Sequence, residues 1–81
     1  MTIELYNQVI AVTEEFLGPA APRFIDRQIA AHLGKQPREL TREDMPTLIE
    51  WSQVTLALIT QDREVVQNFQ VKMRALATPH R

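Results

Sequence analysis

Gly18-Pro19-Ala20-Ala21-Pro22 is the stretch on which the architecture turns. It separates an apolar helical pattern that ends in Phe16-Leu17 from a second one that opens at Arg23-Phe24-Ile25. The chain has two glycines, Gly18 and Gly34, and each stands just past such a run. A helix C-terminus favours a left-handed residue there, which glycine adopts without a Cβ penalty. Pro19 suits a first helical turn, whose amide hydrogens lack partners. Pro22 falls late in that turn, or at its first position if the helix begins three residues further on. Gly18, Pro19 and Gly34 are thus structural corners that divide the first half into helix, tight corner, helix and loop.

Outward from this corner the pattern is helical throughout. Over residues 2–17, Leu5, Tyr6, Val9, Val12, Thr13 and Phe16 recur at three- and four-residue spacing, widened by Ile10 and Leu17. Over 19–33, Phe24, Ile25, Gln28, Ile29, His32 and Leu33 share one side. Lys35 to Leu40 is a polar connector, and Thr41 reads as a cap whose hydroxyl accepts from the amide of Asp44. Pro46 predicts a break near itself within residues 42–60, where Leu48, Ile49, Trp51, Val54, Leu56, Ala57, Leu58 and Ile59 are apolar nearly all round. That helix is expected to be the central, most buried one. Asp62 reads as the cap of a last helix over 63–77, striped by Val65, Val66, Phe69, Met73 and Leu76. The expectation is an all-α, compact four-helix domain spanning 1–81, with residues 78–81 a frayed tail.

Composition narrows the functional classes. A domain of 81 residues has a marginal core, which association with a partner commonly supplements. Nine basic against ten acidic residues leave a net charge of −1, which argues against a dominant phosphate-binding surface. Absence of cysteine removes disulfides, thiolate metal ligands and a thiol nucleophile. Neither a basic, apolar leader nor a membrane-length apolar run occurs, so a cytoplasmic protein is expected. Charge alternates along the chain: −3 over residues 1–18, +3 over 19–42, −4 over 43–64 and +3 over 65–81. Such blocks pair neighbouring helices of opposite sign.

Catalytic groups are thinly supplied. Ser52 is the one serine, within the most apolar helix, where its hydroxyl is expected to bond to a backbone carbonyl one turn back. Glu14-Glu15 and Glu43-Asp44 are adjacent pairs, whose side chains diverge on a helix and read as solvated faces or cap charges. No metal or cofactor is expected, since His32, Asp26 and Gln28 lack a further local ligand. His32-Leu33-Gly34-Lys35 is similar to the histidine region of phosphotransfer domains, though here the histidine falls at a helix end. The Ile29–Leu40 region resembles a helix-turn-helix with Gly34 at the turn, offering Gln36, Arg38 and Arg42 to DNA. Pro37, Glu39, Glu43, Asp44 and Pro46 weigh against it by repelling phosphate and shortening the recognition helix.

Partner-binding candidates are of two kinds. Arg23 and Arg27, beside Gln28, lie one turn apart, so both guanidiniums can reach one carboxylate or phosphate. A solvated neighbourhood with Asp26 is the plainer alternative. Met45, Trp51, Val71 and Met73 are apolar residues in excess of a small core, and Trp51 would anchor a partner. Phe16-Leu17-Gly18-Pro19-Ala20-Ala21, with Phe24-Ile25-Asp26-Arg27-Gln28 and Leu40-Thr41-Arg42-Glu43-Asp44, resembles a small helical module found as tail segments of bacterial serine/threonine kinases and other signalling proteins. The resemblance covers residues 9 to 76 and departs from the pattern at Pro22. It implies a non-enzymatic interaction or regulatory module, with a protein partner or a homodimer as the expected assembly.

Overall fold

Leu5, Val9 and Thr13 recur one turn apart and are the buried line of α1 (Thr2–Leu17). The buried Thr13 hydroxyl is satisfied by donating to the Val9 carbonyl at 2.8 Å. This computed structural model describes residues 2–77, with side chains from residue 4 onward. The tail expected at residues 78–81 lies outside the described residues.

Gly18 ends α1 with φ of 60°, and nothing stands within 4 Å of where its Cβ would be. Backbone handedness alone calls for glycine there. A single 3-10 turn, Gly18–Ala20, then leads into α2 (Ala21–Gln28), with Pro22 in the first helical turn.

The second helix is shorter than its pattern predicts. At Ile29 the backbone widens into a π turn, Ile29–Leu33, which the Gly34 amide closes by donating to the Ile29 carbonyl at 3.0 Å. Gly34 takes the left-handed conformation, with φ of 64°. A π turn inserts a residue into the helical count and re-aims the side chains beyond it. His32, placed on the apolar side by α-helical spacing, is therefore exposed, while Ile25, Gln28 and Ile29 are buried.

Between Gly34 and the next helix lie two single 3-10 turns, Pro37–Glu39 and Arg42–Asp44, flanking the buried Leu40. The recognition helix that a helix-turn-helix needs after Gly34 is not formed. Thr41 opens the second turn in a capping box with Asp44, its side chain meeting the Asp44 amide as its position predicts. Its amide and its hydroxyl both donate to Asp44 Oδ2 at 3.0 Å, and the Asp44 amide bonds to the Thr41 carbonyl. Lys35 Nζ donates to the same oxygen at 2.6 Å. Burial opposes charge on Asp44, but these donors outweigh it and hold its carboxyl below the usual value of 3.8.

The turn at Arg42–Asp44 also resolves Pro46. It stands second in α3 (Met45–Ile59), within the first turn, where no amide hydrogen is needed. Asp62 caps α4 (Arg63–Ala77) by accepting from the Glu64 amide at 2.9 Å.

The result is all-helical, with three helices of 15 or 16 residues and one of 8 rather than four comparable ones. The radius of gyration, 11.6 Å, is that of a single globule of this length. One core joins Leu5 and Val9, Ile25 and Ile29, Leu40, Met45, Leu48, Ile49 and Leu56, Phe69 and Met73. Phe16 meets Phe69 edge to face at 5.7 Å, and Lys72 pairs with Glu15 beside them, joining α1 to α4. Met45 and Met73 are thus core residues, not members of an exposed patch. Nor is α3 buried all round: Trp51, Val54, Leu58 and Ile59 are exposed.

Two outcomes test this packing. Asp44→Asn should cost about 1–2 kcal/mol at pH 7, because the charged acceptor of three donors is lost. Since the folded carboxyl titrates below its unfolded value, that stabilisation is present above the ordinary value of 3.8 and fades as pH falls below it. Urea unfolding of both proteins should therefore converge towards low pH. Ser52 is fully buried, but its hydroxyl finds no partner, contrary to the bond its position predicts. Ser52→Ala should be neutral or stabilising by up to about 1 kcal/mol in the same assay.

Candidate functional site

Helical geometry sets Trp51, Val54 and Leu58 along one line of α3, with Ile59 at its edge. Leu58 is 82% exposed, Ile59 60% and Trp51 41%. These side chains form an apolar ridge about 10 Å long. On one flank an open groove between α3 and α4 is lined by Glu50, Gln53, Val54, Gln70 and Arg74. On the other, a pocket of about 210 Å³ lies between α2 and α3, lined by Ala20, Arg23, Phe24, Arg27, Gln28, Thr55 and Ile59.

The π turn fixes the upper end of the ridge. It delivers the His32 ring onto Trp51, with centroids 4.2 Å apart and planes 1° from parallel. One face of the indole is thereby covered by a side chain from a different element, which restricts its rotamers. Thr55 Oγ1 donates back to the Trp51 carbonyl at 3.0 Å, so its free capacity is as an acceptor.

Arg23 and Arg27 are both exposed at the pocket, and neither takes part in an ion pair among the described residues. Asp26, the acid between them, is engaged elsewhere. Its Oδ1 accepts from the Tyr6 hydroxyl of α1 at 2.6 Å. Burial, the hydrogen bond to Asp26 and the charge of that carboxylate push the Tyr6 phenol up to about 12. A raised phenol favours the folded state at neutral pH and loses that contribution only as pH climbs past its usual value of 10.0.

The proposed contact residues divide accordingly. Arg23, Arg27 and Trp51 are brought to one surface around the α2–α3 pocket and the ridge. Gln28 is 4% exposed, with Oε1 sealed from solvent and unpartnered, so it backs the pocket rather than reaching a partner. Met73 is fully buried in the core. Val71 is exposed, but it projects from the side of α4 opposite Phe69 and Met73. Val54, Leu58 and Ile59 were hidden from sequence reasoning because an all-round apolar helix reads as wholly buried.

No family model, curated protein or solved structure matches this chain. No helix among the described residues is long and apolar enough to cross a membrane.

The stack yields a direct expectation. His32→Ala should uncover the indole face, shifting the emission of Trp51, the one tryptophan, to longer wavelength and increasing its quenching by iodide. Unchanged emission would mean that the two rings do not stack in solution.

Proposed function

We propose that this chain is a non-enzymatic interaction module with a regulatory role, of the kind served by tail segments of bacterial signalling proteins, acting in the cytoplasm. The supporting observation is the ridge of Trp51, Val54, Leu58 and Ile59, left exposed on a helix whose other side is core. Covering apolar surface gains about 25 cal/mol per Å², so such a ridge favours association wherever a complementary surface exists. A tryptophan braced by its neighbour is a suitable anchor, since less rotamer freedom is lost on docking. The burial of the lone serine, which keeps its hydroxyl from solvent, supports the same reading.

Self-pairing through this face is the form that association takes when no other partner is present. Leu58→Glu tests both. At a site so exposed, the substitution should change folding stability by no more than about 0.5 kcal/mol. Light scattering at high concentration should then give a larger mass for the wild type and 9.3 kDa for the variant. Immobilised wild type should also retain a species from native extract that the variant does not. Identical masses and identical retention would overturn the proposal.

A further inference from the structure

Charge beside the ridge specifies what should lie on it. Arg23 and Arg27 stand one turn apart on the α2 side, at the pocket they share with Phe24, Thr55 and Ile59. The acid between them bonds to Tyr6 and forms an ion pair with neither, so both guanidiniums keep their donors free. The lysines at the other described ion pairs are already matched, Lys35 by Asp44 and Lys72 by Glu15. This leaves an apolar strip bordered by two unpaired guanidiniums.

Resting on the interaction reading above, we infer that the α3 ridge and the α2 arginines together receive an acidic amphipathic helix of a partner protein. Its apolar side chains, at three- and four-residue spacing, would lie against Trp51, Val54 and Leu58. Carboxylates one turn apart along one flank would meet Arg23 and Arg27, whose separation on α2 is the same helical repeat. The pocket at Ile59 is small, below the volume typical of a cofactor site, and fits the stem of one such acidic side chain. A nucleic acid suits this surface less well. Its backbone would set phosphates against an apolar ridge, with Glu50 exposed on the far flank. Nor does the acidic first helix of a second copy complement the ridge: its exposed positions are Glu4, Asn7, Gln8, Ala11, Glu14 and Glu15, with no apolar stripe among them.

The test uses the full chain and two labelled helical peptides of about 15 residues. Both carry leucines at the ridge spacing. One has glutamates one turn apart on a flank, the other has lysines there. Fluorescence anisotropy should show the glutamate peptide binding about tenfold more tightly at low salt. The double variant Arg23→Glu, Arg27→Glu, altered only at exposed positions, should reverse that preference. Leu58→Glu should abolish binding of both peptides. Equal binding of the two peptides, still lost in Leu58→Glu, would overturn the acidic specificity and leave the docking face standing. Binding of neither would overturn the occupant and count against the face as well. Displacement of the glutamate peptide by a short DNA duplex at low salt would also overturn the inference, by making phosphate the preferred anion.

Discussion

The structure depends on how little there is to wrap around α3. A helix of four turns that is apolar on most sides needs neighbours on most sides. This chain supplies α4, the short α2 and the π turn after it, all against one part of the circumference. Leu48, Ile49 and Leu56 are consumed by those contacts, while Trp51, Val54, Leu58 and Ile59 are left over. The surplus follows from geometry, because the described elements that pack on α3 cover its other side.

Polar contacts determine how the helices are held around that core. The Tyr6–Asp26 bond ties α1 to α2, and Lys72–Glu15 ties α4 to α1. Asp44 gathers Lys35 and Thr41 at the start of α3, so the long connector is tethered to the helix it precedes. These contacts also determine which charges remain available. Because Asp26 bonds to α1, the arginines on either side of it face outward with no direct ion pair to it, next to the apolar ridge. A fold-stabilising bond on one face of α2 thus shapes the electrostatics of the other.

Two buried polar groups break the pattern of satisfied contacts. Ser52 Oγ and Gln28 Oε1 have no partner, and they come from the two helices that border the pocket. Each carries a desolvation cost with no compensating bond.

The sequence by itself determined the helical class, the corner at Gly18, the stop at Gly34, the buried lines of α1 and α4, and the cap at Asp62. These are local matters: handedness at one residue, or a spacing repeated along one helix, is set by neighbours in the chain. It also singled out Arg23, Arg27 and Trp51. Only the tertiary structure decided which side of α3 stays bare, that Met45 is interior, and that His32 turns out onto Trp51. Those outcomes depend on which helices share a finite core, and on one extra residue in a π turn that rotates His32 away from the apolar side. A hydrophobic pattern records that a residue is apolar, but whether anything covers it depends on the rest of the fold.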